Sequence, residues 1–198
     1  MFQTCAMSRL GIGLSEANHH EDALSVKEAQ LSMERRLGAT EENMLTTLGN
    51  LADTYEALGR REQGLRMRRD VYFGRLKLNG EEYDHTLAAA YNYAISLTHL
   101  ERFKEVKKLM RKTTPVLHRV LGNCHDLTLR IRQIYAGALY EDAGASLDDL
   151  REAVTTLEDA ARIARRVLGG AHPTTVGIED TLQDAQAALR ARETQPSP

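Results

Sequence analysis

Cysteine occurs only twice, at Cys5 and Cys124, and never in a CxxC spacing, so the sequence holds neither a disulfide framework nor a zinc-binding pattern. Free cysteine behaves as a small hydrophobe, and both thiols are expected to be reduced and buried. Proline is scarce, with 4 in 198 residues, and 42% of the residues are apolar, a composition that argues for a folded globular chain. No uninterrupted apolar run approaches the roughly 20 residues needed to cross a bilayer. The opening MFQTCAMSRLG has no charged n-region followed by an apolar h-region, so a cytoplasmic location is the expectation. Excess charge is missing as well: 26 Lys and Arg stand against 28 Asp and Glu, a formal net charge of −2. Such a balance offers no general attraction to nucleic acid or to an anionic membrane.

What the sequence has is repetition. The phrase LGNCHDLTL begins at Leu121 and returns as LGGAHPTTV at Leu168. Stepping back by 42 residues from Leu121 gives NGEEYDHTL at Asn79, and a further 42 gives LGATEENML at Leu37. The step from Leu121 to Leu168 is 47 residues, five more than the others. Self-similarity at a fixed period is the signature of stacked supersecondary units.

Between the phrases, large and small apolar residues recur at helical spacing, as in Leu51 to Gly64 and Tyr93 to Val106, with the same frame starting upstream at Leu10-Gly11. Asn18 and Gly59 fall where a helix should stop, and both tolerate the left-handed conformation. Ala153, Leu157, Ala160, Ile163 and Val167 then mark a following helix, so each unit is a helical hairpin. In this frame the phrase is punctuation: its leucine plugs the core, its glycine terminates one helix, and His-Pro or His-Asp starts the next. His125 and His172 are therefore boundary residues, and with no HxxxH or HExxH around them no metal site is predicted. The five inserted residues fall within Tyr140 to Asp149, where Gly144 would end a lengthened helix and Ser146 with Asp149 would form a capping box, so the elbow of that repeat is expected to be longer than the others. Pro115 sits inside a helical pattern and should kink it.

These signals predict an all-α chain with hairpins at about 2–37, 43–78, 85–121 and 126–168, a capping helix at 173–191 and a disordered tail at 192–198. The first helix has no preceding phrase, which is expected of a piece of a longer array or of a hairpin that self-associates.

The phrase LGxxHPxTL, followed by a helix with N-L-A-x-x-Y and then G-R-x-x-E-A, resembles the 42-residue tetratricopeptide repeats of kinesin light chains. Here those motifs stand as LGGAHPTTV, Asn50-Leu51-Ala52-Asp53-Thr54-Tyr55 and Gly59-Arg60-Arg61-Glu62. The resemblance covers nearly the whole chain. It implies a right-handed superhelical solenoid of about four hairpins plus the capping helix, in which first helices line a concave groove and second helices cover the outside. It also implies a non-catalytic scaffold or adaptor that binds a peptide segment or partner domain in that groove.

The implied groove positions follow by register. Relative to the small residue of each first helix (Gly11, Ala52, Ala94, Ala136), they are the residues three before and one after: Ser8 and Ile12, Gly49 and Asp53, Tyr91 and Ile95, Gln133 and Gly137. The position two before holds Asn50 and Asn92, whose amides can donate and accept at once and so suit an extended peptide backbone. Tyr91, His99 and Tyr140 add aromatic or amphipathic surface. Basic residues are absent from the groove positions, which disfavours a carboxylate clamp. Kinesin light chains favour acidic peptides containing tryptophan, a preference that Asp53, Glu56 and Glu141 oppose here.

Charge is segregated along the chain. Residues 1–59 carry 4 Lys/Arg and 9 Asp/Glu, residues 60–120 carry 14 and 7, and residues 121–198 carry 8 and 12. The basic runs around Arg60 to Arg69 and Lys104 to Lys112 belong to second helices and are placed outside, where an acidic partner would find them. Few aromatics interleave with them, which counts against single-stranded nucleic acid. No P-loop, GxSxG elbow or Cys/His dyad is present, so the chain is not expected to be an enzyme or to hold a cofactor. The alternative to a free-standing scaffold is a sensor or regulatory repeat fragment of a larger signalling protein or enzyme.

Overall fold

The structure is a computed structural model that describes residues 2–194. It contains α1 (Phe2–Glu16), α2 (His20–Arg36), α3 (Glu41–Ala57), α4 (Arg61–Asn79), α5 (Asp84–Thr98), α6 (Phe103–Val120), α7 (Asp126–Tyr140), α8 (Leu147–Val167) and α9 (Pro173–Thr194), with no strand among the described residues. The chain divides into two compact units between Ser96 and Leu97, inside α5. The last helix runs three residues past the expected 191, so Arg192, Glu193 and Thr194 are helical, and residues 195–198 of the expected tail lie outside the described residues.

The turns repeat with the sequence. Asn18, Gly59 and Glu101 close α1, α3 and α5 with φ of 61°, 73° and 55°. Each makes the same pair of terminal hydrogen bonds: in the second case the Gly59 N–H donates to Glu56 O at 2.9 Å and the Arg60 N–H to Tyr55 O at 2.8 Å. This is the Schellman pattern that satisfies the last carbonyls of a helix. The phrase glycines Gly38, Gly80, Gly122 and Gly169 all have positive φ as well. The histidines are the starting signal of the next helix in a literal sense. His125 Nδ1 accepts the Leu127 N–H at 3.2 Å, and His172 Nδ1 accepts the Thr174 N–H at 3.2 Å. Thr40 does the same for Asn43 at 3.3 Å with its hydroxyl.

In the first unit, α1 packs on α2, α2 on α3 and α3 on α4. Leu24, Leu31, Leu51 and Tyr55 form its apolar cluster. Helices α3 and α4 approach closely at Gly64, where a Cβ would lie 2.7 Å from Glu56 Cγ and 3.2 Å from the Ala52 carbonyl. In the second unit, α7 packs against α6, α8 and α9 around Leu129, Leu139, Leu157 and Ile178, all fully buried. The small residues Gly11, Ala52, Ala94 and Ala136 are buried, as the register requires.

Several sequence expectations are overturned. Both thiols are exposed: Cys5 lies on the open side of α1, and Cys124 lies in the turn between α6 and α7. Leu37 does not plug the core; it is 64% exposed, whereas Leu168 at the equivalent position packs on the second unit's core. Leu10 is 55% exposed although Leu51, its counterpart in the next repeat, is buried. Helix α7 is not lengthened and stops at Tyr140, and Gly144 does not adopt positive φ. The elbow is longer, as expected, and in it the Asp142 carboxylate accepts the Gly144 N–H at 3.0 Å and the Lys107 ammonium at 2.9 Å. The Ser146 capping box is formed, its hydroxyl accepting the Asp149 N–H at 3.1 Å. Pro115 lies inside α6, as the helical pattern around it requires.

Candidate functional site

On the first unit, a cavity of about 240 Å³ opens between α3 and α5 above α4. Asn50 and Asp53 of α3, Arg68 and Arg75 of α4, and His85 and Asn92 of α5 line it, and Gly49 adds no side chain to narrow it. A second cavity of about 380 Å³ between α1, α2 and α3 is bordered by Ile12, Ser15, His20 and Lys27, and again by Asn50 and Asp53. Those two α3 residues thus stand between adjoining hollows.

The two asparagines are the open polar groups. Their backbone carbonyls are occupied, Asn50 O by Lys27 Nζ at 3.2 Å and Asn92 O by the Ser96 hydroxyl at 3.2 Å. Among the described residues, neither side-chain amide is hydrogen-bonded. Each can therefore offer one carbonyl and one NH₂ to a peptide unit without giving up an internal bond.

Two residues that sequence reasoning missed reach the same cavity from α4. Arg68 and Arg75 are only 8% and 7% exposed. Arg68 pairs with Asp53 and lies 3.7 Å from Glu56, whose other neighbour is the Ser96 hydroxyl. Arg75 donates to Glu42 at 3.1 Å and to the Thr46 hydroxyl at 3.3 Å. The Nε of each is buried without a hydrogen-bond partner. This corrects one expectation, since Arg68 does not belong to the outer basic face; the cations at the cavity come from α4 and not from the first-helix register positions. Three carboxylates neutralise the two guanidiniums, so the cavity has no surplus positive charge with which to grip a carboxylate. Stepping by 41 or 42 residues along the repeats gives the signal that could have found them: the column Lys27, Arg68, Met110 and the column Glu34, Arg75, Leu117 are buried throughout.

Lys27 is the deepest charge in this unit, 4% exposed. Its ammonium donates to Ser15 Oγ at 2.8 Å, Asn50 O and Thr54 Oγ1 at 2.7 Å. Burial holds its pKa below the ordinary lysine value, with Asp53 opposing the shift. Next to it, Gln30 Nε2 donates to Glu34 Oε1 at 2.8 Å and to Thr47 Oγ1 at 3.0 Å, a second buried polar group behind α3.

The expected groove residues are divided. Asn50, Asp53 and Asn92 come together at the cavity, and half-buried Tyr91 and Ile95 lie on α5 outside its lining. His99, Gln133 and Tyr140 belong to the second unit. His99 is exposed just beyond α5. Gln133 is committed internally, its amide donating to the Gly177 carbonyl at 2.8 Å and Thr181 Oγ1 at 2.9 Å, which ties α7 to α9. Tyr140 packs beside the core, where burial and then Glu141 raise its hydroxyl pKa above the usual tyrosine value. Among the described residues, no group of three His, Cys, Asp or Glu is placed to hold a metal ion, and no helix is long and apolar enough to cross a membrane.

No family model matches the chain, and no curated protein does. Solved structures share its fold. A Podosopora anserina protein assigned as a kinesin light chain, with nearly identical TPR-like repeats, superposes with a TM-score of 0.79 at 19% identity, covering 96% of this chain and 89% of that one. A single-substitution variant of that protein gives 0.81 at 19% identity over 96% and 88%. BtubC (BKLC) from P. vanneervenii gives 0.63 at 13% identity over 97% and 82%. At these identities the likeness is one of fold: the chain is an all-α solenoid of helical hairpins of the TPR-like type.

Proposed function

We propose that the chain is a non-catalytic protein-interaction scaffold, an adaptor of the kinesin light chain-like kind, that holds an extended peptide segment of a partner against α3 and α5 of its first unit. The observation that carries this reading is the pair Asn50 and Asn92, whose amides open onto one cavity with no internal partner. A peptide backbone offers alternating N–H and C=O groups, and asparagines on neighbouring parallel repeats can bond both kinds whatever the partner's side chains. The balanced charge around Arg68 and Arg75 favours a neutral or mixed segment over a strongly acidic one. The adjoining cavity at Ile12 and Lys27 extends the path on the other side of Asn50 and Asp53. The solved proteins with this fold include one assigned as a kinesin light chain, which supports an adaptor role.

The test is cross-linking capture from a native lysate with the intact chain and with Asn50→Ala/Asn92→Ala, after circular dichroism shows equal helicity. A partner that binds the intact chain and is depleted at least tenfold on the variant supports the reading. Partners retained equally by both chains would sink it.

A further inference from the structure

The second unit carries a different kind of hollow. Helix α6, FKEVKKLMRKTTPVLHRV, has six Lys or Arg and a single Glu. Between α6 and α8, above α7, lies a cavity of about 500 Å³. Its walls are Arg111 and His118 of α6 and Asp159 and Arg162 of α8, and its floor is Arg132 and Tyr135 of α7. These helices come from second, first and second positions of consecutive repeats, so the cavity lies outside the set of first-helix residues that form the peptide site.

Its lining is rich in guanidinium groups. Arg132, with a side chain 13% exposed, spends one bond on the Thr156 carbonyl at 3.2 Å, and its nearest carboxylate, Asp159, is 3.8 Å away. That same carboxylate is held at 2.9 Å by Arg162. Arg111 donates to the Tyr135 hydroxyl at 3.1 Å, with its guanidinium 6.0 Å from the ring centre; that hydroxyl donates to Glu152 at 2.6 Å, and the Glu152 and Asp149 charges also act on Arg111. Three guanidiniums and one carboxylate thus line the opening itself, while Glu152 and Asp149 act on Arg111 from outside the lining. Burial, and then the Arg132 charge, holds the His118 pKa below its usual value. Burial also lowers the pKa of Arg132, with Asp159 opposing it.

We infer that this cavity binds the phosphoryl group of a phosphorylated segment of a partner protein. A phosphoryl group carries nearly two negative charges at neutral pH and three acceptor oxygens, which suits a lining with three forked guanidinium donors. A lone carboxylate brings one charge and two acceptor oxygens to the same three guanidiniums. A nucleic-acid backbone needs a continuous basic track and open aromatic faces. Here α8 carries Asp148, Asp149, Glu152, Glu158 and Asp159 along its length, and the Tyr135 ring is already covered by Arg111.

The test is an NMR titration of the intact ¹⁵N-labelled chain with three probes: an alanine–glycine hexapeptide containing one phosphoserine, its unphosphorylated form, and a mixed-sequence RNA dodecamer. The expected result is saturable binding of the phosphopeptide, at least tenfold tighter than the serine peptide, with shifts centred on α6, α7 and α8. Arg111→Gln/Arg162→Gln, which alters two exposed side chains, should weaken it at least tenfold. Asp159→Asn should tighten it about threefold or more, a gain that misfolding cannot mimic. Binding that ignores phosphorylation, a double variant that binds as the wild type does, or RNA bound while the phosphopeptide is not, would each overturn the proposal.

Discussion

The Lys27 ammonium lies 2.7 Å from the Thr54 hydroxyl, and none of its three hydrogen-bond acceptors is charged. Its pKa is lowered chiefly by burial. The unfolded chain, with an ordinary lysine near 10.5, therefore binds more protons than the folded chain between the lowered value and 10.5. Across that window wild-type stability gains as pH rises, and the gain should vanish in Lys27→Met. Ser15 and Thr54 keep their own bonds to the Gly11 and Asn50 carbonyls, both at 3.1 Å. At neutral pH the substitution is expected to be neutral or to stabilise by up to about 2 kcal/mol. Urea denaturation of both chains from pH 7 to 10 measures both effects.

Removing the imidazole acceptors at the helix starts should destabilise. His125→Ala and His172→Ala each take away the ring that accepts an N–H of the first turn. Each is expected to cost about 1 kcal/mol, and asparagine at either position should restore most of it. Thermal denaturation followed by circular dichroism at 222 nm reads the difference.

Glu101 holds φ of 55° at a position where Gly59 serves in the preceding repeat. A glutamate pays a steric cost in this region that glycine does not. Glu101→Gly should therefore stabilise the second unit by about 0.5–1 kcal/mol, and the reciprocal Gly59→Glu should destabilise the first by a comparable amount. Chemical denaturation midpoints of the two variants test the pair.

His118 should titrate below the ordinary histidine value, and Arg132→Gln should move it upward, since Arg132 supplies part of the depression after burial. A depressed folded pKa means that the unfolded chain binds more protons just below 6.5, so His118 contributes stability that is lost as pH falls through that range. NMR chemical shifts of the His118 ring against pH give the value in each chain. No upward movement in the variant would show that Arg132 does not act on this ring.

The repeat was legible because backbone geometry leaves marks that no partner can erase. A turn needing positive φ recruits Gly38, Gly80, Gly122 and Gly169, and the period follows from their spacing. Glu101 escaped notice because its side chain carries no turn signal; only the step of 42 from Gly59 points to it. The arginines of α4 were illegible for another reason. A long cationic side chain at a core register can reach solvent along its stem or pair with a carboxylate on a neighbouring helix. The choice depends on Asp53 and Glu42, which lie 15 and 33 residues away in sequence. Exposure of Leu10 and Cys5 likewise depends on which face of α1 other helices cover, and a periodic pattern does not carry that information. At the candidate site, asparagine register was readable, whereas the internal engagement of Gln133 required the position of α9.

The buried face of the second helices changes character along the chain: Lys27, Gln30, Glu34, Arg68 and Arg75 stand among its apolar residues in the first unit, and Met110 and Leu117 hold the matching positions of Arg68 and Arg75 in the second. Charged and amide groups depend on one another for satisfaction, so each lost bond exposes its partner, while an apolar face loses contacts one at a time. Amide protons of α2 to α4 should therefore exchange through local openings of lower free energy than those of α7 and α8. The half of the molecule that offers the peptide site would then be the half that breathes. A bound segment bridging Asn50 and Asn92 would slow exchange there first, making protection of α3 and α5 a direct reporter of occupancy.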